Sequence, residues 1–275
     1  MRILLLVAAG CSASPAQPHT LAKLSSPESV LLVGDRALVS NIGVNLDPLG
    51  KDGDGYISEL DGTRVFTGLD APKGMATLDG VLYVADVDRV VGFNIATHAR
   101  VFEASVAEKA LLNDLDVSDG ALIVTDTLRD AVYRLDLGDK QFTPLATEIA
   151  GANGVAVGRD AIYVVGLGTA LAGGDAPGDI VRIAGDGTKT ALGVHGLFDG
   201  IAIDGDALLV SDWVAISPPT AGRILRIEGE RVTELPLPEA MHGPADFAYD
   251  RAHHQLLIPR SLDQRVSRVR MTSSP

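Results

Sequence analysis

The sequence predicts an all-β chain folded as one six-bladed β-propeller. Three observations carry this expectation: a strand–turn–strand pattern recurring roughly every forty residues, a composition suited to short strands and tight turns, and no helix-length segment of sustained helical periodicity.

The copies read SVLLVGDRALVSN (29–41), GMATLDGVLYVAD (74–86), DLDVSDGALIVTD (114–126), GVAVGRDAIYVVG (154–166), GIAIDGDALLVSD (200–212) and, more loosely, DFAYDRAHHQLLIPR (246–260). Their starts are separated by 45, 40, 40, 46 and 46 residues, a propeller-blade period. Each copy joins a short apolar strand to a more β-branched one across a polar turn, often Asp-Gly. Between copies lie further candidates, such as YISEL then TRVFTG and AVYRLD then QFTPLA, so each repeat supplies about four antiparallel strands, one blade. Inner strands are expected near 30–33, 75–78, 115–118, 155–158, 201–204 and 247–249. The last repeat is short by one strand, and His19–Lys23 is expected to supply it and close the ring. Without a helical layer, βαβ sheets and TIM barrels are disfavoured.

The 275 residues are 46% hydrophobic but only 4% aromatic, with 30 Gly, enough apolar surface for one large β domain. A net charge of −13 repels phosphate backbones, which sets nucleic acid aside as a partner. Residues 1–10 place Arg2 before an apolar run too short to span a bilayer, an export signal. Ala8-Ala9-Gly10-Cys11 looks like a bacterial lipobox, which implies that Cys11 is lipidated and becomes the mature first residue. It is the only cysteine, so no intrachain disulfide can form. Residues 11–18 then form the lipidated cysteine and a flexible tether, and residues 19–275 the propeller. The expected location is the cell envelope, with membrane contact through the anchor alone.

Reading the residue two places before the first core position of each inner strand gives a ring at one channel mouth: Glu28, Lys73, Asn113, Asn153, Asp199 and Ala245. Asp114 and Asp246 lie alongside. These carboxylates and amides are the hard oxygen donors that Ca²⁺ takes, rather than the thiolates of softer metals. For any single position the plainer account is local backbone satisfaction, since Asn-Gly and Asp-Gly also mark turns. For Glu28, Asn153 and Asp199 together a divalent cation, calcium first, is the expectation, because buried carboxylates facing one another need positive charge or protons.

The segments SPESVLLVGDRALVSN, LNDLDVSDGALIVTD, ANGVAVGRDAIYVV and FDGIAIDGDALLVSD resemble the senescence marker protein/gluconolactonase-like propellers, with wider similarity to strictosidine synthase, paraoxonase and NHL-repeat propellers. The resemblance covers essentially the whole mature chain. It implies that Glu28, Asn153 and Asp199 bind a divalent metal, usually calcium, that Asp199 is the base for lactone hydrolysis, and that Asn113-Asp114 belongs to the ligand pocket. Where sugar-lactone hydrolases of this family carry Arg two residues before that Asn, this chain has Leu111, which argues against a polyhydroxylated lactone. Lys73 either orients a ligand carbonyl or carboxylate, or neutralises Asp114 or Asp246.

Three long loops are expected at the same mouth, Ile42–Gly55, Gly166–Gly178 and Trp213–Gly222. The third carries the only Trp, read as a ligand-facing wall or as an anchor between blades. The ends of the second strands, Asn41, Asp86, Asp126, Asp212 and Arg260, are read as turn caps. DGDGYISELD (52–61) lacks the first ligand and the final Glu of an EF-hand, and GLGTAL (166–171) lacks the βαβ context of a dinucleotide site. His195 and His242 precede inner strands and could reach the mouth as proton shuttles, although loop histidines without that role are commoner. Two functions follow: a metal-dependent hydrolase of a lactone or related ester, or a non-catalytic propeller that binds a small ligand or protein and keeps a structural metal.

Overall fold

The computed structural model describes residues 24–106 and 109–271. Among these the strands form six antiparallel sheets arranged as a six-bladed propeller, and no α-helix interrupts them. Blade one is β1 (Pro27–Val33), β2 (Arg36–Asn41), β3 (Gly55–Glu59) and β4 (Arg64–Leu69). Blade two is β5 (Pro72–Leu78), β6 (Val81–Asp86), β7 (Arg89–Asn94) and β8 (Arg100–Ser105). Blade three is β9 (Leu112–Ser118), β10 (Ala121–Asp126), β11 (Ala131–Leu135) and β12 (Phe142–Ala146). Blade four is β13 (Ala152–Val157), β14 (Ala161–Gly166), β15 (Ile180–Ala184) and β16 (Lys189–Ala191). Blade five is β17 (Phe198–Asp204), β18 (Ala207–Asp212), β19 (Ala221–Glu228) and β20 (Arg231–Glu234), and β21 (Met241–His242) pairs with β19. Blade six is β22 (Ala248–Asp250), β23 (Gln255–Arg260) and β24 (Arg265–Arg270). The repeat gives no sign of β21.

Local chemistry explains the hairpins. Between β9 and β10, Asp119 and Gly120 take φ of 47° and 72°, the left-handed pair that a type I′ turn requires. The core is divided among the blade interfaces, because each sheet buries one face against the next. Tyr83, Phe102, Leu112 and Leu122 join blades two and three, with the two rings edge to face at 5.4 Å. Leu24, Val30, Leu257 and Val266 join blade six to blade one. There the ring also closes through the backbone: Val30 N–H donates to Asp246 O at 3.2 Å and Asp246 N–H to Glu28 O at 2.9 Å. Leu24 N–H donates to Gln264 O at 3.0 Å. The strand expected from His19–Lys23 lies outside the described residues.

Inner strands one to five begin about three residues earlier than the apolar pattern indicates. In each, pairing slips at the same point: Pro72 faces Asp86 but the next pair is Met75 with Val84, and Phe198 faces Asp212 but the next is Ile201 with Val210. The same slip follows Pro27, Leu112 and Ala152. These bulges leave Glu28, Lys73, Asn113, Asn153 and Asp199 unpaired in the ladder and re-aim them. Asn153-Gly154 and Asp199-Gly200 are therefore not turns but buried strand residues. Their glycines are needed because the adjacent inner strand passes too close: a Cβ on Gly154 would lie 2.2 Å from Asp199 O, and one on Gly200 2.6 Å from Asp246 Cα. Gly154→Ala is accordingly expected to cost about 1–3 kcal/mol and lower the melting temperature by several degrees, as measured by calorimetry. An unchanged melting temperature would mean that the two strands are not in this contact.

Candidate metal centre

The bulges bring Glu28, Lys73, Asn113, Asn153 and Asp199 to one mouth, and none of them, nor Asp114, is more than 6% exposed. Their hydrogen bonds divide them by task. Asp114 is fully occupied: Oδ1 accepts from Leu115 N–H and Oδ2 from Val155 N–H, each at 2.7 Å. Asp116 does the same with Val117 and Val157, so these two carboxylates stitch β9 to β13. Asn113 Nδ2 donates to Thr127 Oγ1 at 2.9 Å, and Thr127 Oγ1 donates to Ala152 O at 2.7 Å, bonds that do not use the amide oxygen of Asn113. Asp246 Oδ2 accepts from the Ser29 hydroxyl at 2.5 Å.

The three residues expected to hold a metal are different. Glu28 Oε2, Asn153 Oδ1 and Asp199 Oδ1 are buried and have no hydrogen-bond partner. A buried oxygen without a donor costs about 1–3 kcal/mol, more when charged, so three together call for a cation, protons or water. The set fits a hard divalent cation by donor type. Among the described residues no three His, Cys, Asp or Glu side chains form a metal-holding group by themselves. The three positions expected to hold a metal offer two carboxylates and one amide oxygen, that of Asn153. Among the described residues one further buried side-chain oxygen lacks a partner, Oδ2 of Asp126 at the end of β10; its Oδ1 accepts from Leu111 N–H at 3.0 Å, and burial raises the carboxyl's pKa against the opposing pull of that bond and of Arg129.

Burial dominates the electrostatics of the ring. Burial, then the charges of Asp199 and Asp246, push Glu28 well above the usual carboxylate range. Burial and then Asp246 raise Asp199 to about 8, against the lowering effects of the Trp213 hydrogen bond and Lys73. Burial raises Asp246 to about 7 despite its bond from Ser29, and burial and Asp246 hold Asp114 well above normal. Lys73, the one cation in the ring, is lowered to about 8 by burial, opposed first by Glu28.

The structure places Lys73 Nζ on two carbonyls, Ala71 O at 2.8 Å and Pro48 O at 2.9 Å. It makes no ion pair with Asp114 or Asp246; instead it fastens the loop between β2 and β3 to the mouth. Trp213 Nε1 donates to Asp199 Oδ2 at 2.8 Å, so the loop between β18 and β19 is fastened to the ring as well. Sequence reasoning singled out both residues but not these bonds, which depend on loop paths with no repeat signature. The far edge of the indole lies over Gly243, whose Cβ would come 2.9 Å from Trp213 Cη2 and 3.2 Å from Leu262 Cγ.

The outer ring caps loops. Asp86 Oδ1 accepts from Asp70 and Ala71 N–H, both at 2.9 Å, while its Oδ2 meets Arg89. Asp212 repeats this with Leu197, Val214 and Arg223. His195 and His242 pair with Asp179 at 3.5 Å and Asp263 at 3.1 Å, and neither bonds a ring residue. The segment after Asp54 is strand β3 and GLGTAL ends in a three-residue 3₁₀ turn, so neither decoy has the flanking helix its chemistry needs. Below the mouth the channel is a cavity of about 250 Å³, lined by Asp114, Asp116 and Asp246 among aliphatics such as Val30, Val155 and Ile201.

No protein-family model matches the chain, and no curated protein matches it. Solved structures do. The fold is similar to hydrazine synthase of Kuenenia stuttgartiensis, at 16% identity over 94% of this chain and 80% of that one, with a TM-score of 0.66. It is similar to streptogramin B lyase at 14% identity over 93% and 96%, TM-score 0.64. An auxiliary nutrient binding protein from Bacteroides thetaiotaomicron matches at 11% identity over 90% and 69%, TM-score 0.67. At such identities the likeness establishes the propeller fold alone.

Proposed function

We propose that this propeller is a divalent-metal-dependent hydrolase of a lactone or related ester, with Glu28, Asn153 and Asp199 as the metal ligands and Asp199 as the base. The observation that carries the reading is the coincidence of the three partnerless buried oxygens with the three positions matched to the gluconolactonase-like family. When bound, a divalent cation supplies Lewis-acid polarisation of the substrate carbonyl and lowers the pKa of water. The chain's own groups do the rest. Trp213 holds Asp199 by one oxygen, so the carboxylate keeps a fixed orientation. Held ionised beside the cation, the carboxylate can accept a proton from water. Hydroxide adds to the carbonyl carbon, the ring C–O bond breaks, and the leaving alkoxide takes up the proton that Asp199 removed from water, which restores the carboxylate. Asn113 offers its amide oxygen to a substrate hydroxyl or water, whereas Asp114, with both oxygens on backbone N–H groups, shapes the pocket rather than binding within it.

Lys73 favours a second reading, a ligand-binding propeller with a structural ion, because its ammonium already offsets part of the charge of Glu28 and Asp199. The solved neighbours include both an enzyme and a nutrient binding protein by name. Metal analysis of purified protein, with a screen of lactones and aryl esters in calcium and in chelator, separates the readings. The hydrolase reading expects bound calcium and turnover that chelation removes; calcium without turnover supports the binding module.

The lipobox-like motif supports a cell-envelope location for this chemistry. Cys11→Ser is expected to release the protein from the membrane fraction, as read by fractionation and immunoblot; unchanged fractionation would contradict lipidation.

A further inference from the structure

A larger cavity lies on the face opposite the ring. Inner strands β13 and β17 start at the ring and run away from it, so the turns at 158–160 and 205–206 stand at the far end of the channel. There blades four and five leave a cavity of about 610 Å³, the size of a small-molecule site, and no ring residue lines it.

The strand registers build its walls. Tyr163 of β14 faces Arg182 of β15 directly across the ladder, so both side chains leave the same face of blade four. Ile203 of β17 faces Leu208 of β18 in the same way in blade five. All four line the cavity. Gly158 lines it too, and its φ is outside the left-handed region, so the backbone does not demand glycine there. A Cβ on Gly158 would stand 3.2 Å from Ile203 Cδ1 and 3.4 Å from Tyr163 Cε2, so the missing side chain keeps the space beside the aromatic ring open.

Positive charge enters from two further turns and from the wall itself. Arg159 of the β13–β14 turn and Arg251 of the β22–β23 turn join Arg182 in the lining. Arg159 and Arg182 make no hydrogen bond or ion pair with any described residue, although Arg182 is half-buried, and the Tyr163 hydroxyl has no partner either. Arg251 donates one N–H to Ile203 O and feels Asp204, whose own ion pair is with Arg226. In a chain of net charge −13, Arg89, Arg223, Arg226 and Arg260 all have carboxylate partners, whereas these guanidinium groups converge on open space. Asp160 and Asp206 are exposed in the same lining but pair with none of the three arginines. Three guanidinium groups against two carboxylates leave one net positive charge, which suits a monoanion better than a doubly charged phosphate.

We propose that this cavity is a second ligand site, one for a small aromatic carboxylate, with the carboxylate held by Arg182 and Arg159 and the ring against Tyr163, Ile203 and Leu208. A guanidinium takes a carboxylate through paired N–H bonds and stacks on aromatic faces, so one side chain type serves both halves of such a ligand. Nothing in this site depends on the chemistry of the ring, which lies a strand length away.

Full-chain protein titrated with 2-naphthoate, followed by the fluorescence of the probe and by calorimetry, tests the site. 2-Naphthoate should bind saturably, one per chain, and 2-naphthamide, of the same shape without the charge, about tenfold more weakly. Inorganic phosphate at equal concentration should not displace it. Arg182→Gln should weaken binding by about tenfold. Arg159→Gln, on an exposed turn, should weaken it too and keeps the test open if the first variant does not fold. Asp160→Asn should tighten binding by about twofold, because it removes an opposing charge from the rim. Glu28→Gln, at the ring, should leave the affinity unchanged. Equal binding of the amide, equal competition by phosphate, wild-type affinity in both arginine variants, or loss of binding in Glu28→Gln overturns the proposal.

Discussion

Asp199→Asn should abolish hydrolysis, lowering kcat by roughly a hundredfold to ten-thousandfold, the range that loss of a positioned base produces. The substitution conserves shape, so the inner strand β17 and its bulge should survive and the far-ultraviolet spectrum should not change. The wild-type carboxylate accepts from Trp213 Nε1 through Oδ2 and leaves Oδ1 for the ion. An amide has one oxygen, which can satisfy the indole or the ion but not both. Metal affinity should therefore fall as well, though less than turnover. Steady-state kinetics on a substrate found by the screen, with a calcium titration of the same variant, separates the two effects. Retained hydrolysis would remove Asp199 from the role of base.

The second large effect is on stability. Burial raises Glu28 and Asp114 well above the carboxylate range, Asp199 to about 8 and Asp246 to about 7. A carboxyl whose folded pKa exceeds its unfolded value contributes stability that is whole below the unfolded pKa and is lost as pH rises through the folded one. In chelator, then, the native state keeps protons that the unfolded chain has released, and stability should fall between about pH 5 and about pH 8, by on the order of a few kcal/mol. Lys73, lowered to about 8, opposes the trend only above that pH. Calcium needs the ionised carboxylates and displaces their protons, so its stabilisation should grow over the same interval and cancel the fall. Melting curves across pH in chelator and in calcium read this directly; parallel curves would mean that the buried carboxylates are not linked to an ion.

The blade number and the composition of the ring are legible in the sequence. The strand–turn–strand repeat reports blade number because Asp-Gly turns and β-branched runs are local, and the same alignment put Glu28, Asn153 and Asp199 at one mouth. What it could not show is non-local. The bulge after Pro72 or Phe198 leaves the alternation of Met75–Leu78 or Ile201–Asp204 intact, so the inner strands looked shorter than they are. Gly154 and Gly200 read equally well as turn residues until the adjacent inner strand was seen against them. Asp114, grouped with the ligand pocket by resemblance, is engaged by Val155 from the next blade, a partner outside its own repeat. The Pro48 carbonyl on Lys73 and the Trp213 indole on Asp199 come from loops of irregular path, where period and propensity carry no information.

On the proposed reading, the three partnerless oxygens of Glu28, Asn153 and Asp199 share one cation. Calorimetric titration of chelator-stripped protein with calcium chloride, in buffers of different ionisation enthalpy, tests it most directly. Saturable binding of one ion per chain is expected at the ring, with proton release that shows as a buffer-dependent heat, and both should be lost in Glu28→Gln and Asn153→Ala. No binding heat in the folded wild-type protein, or binding that both variants keep, would contradict it.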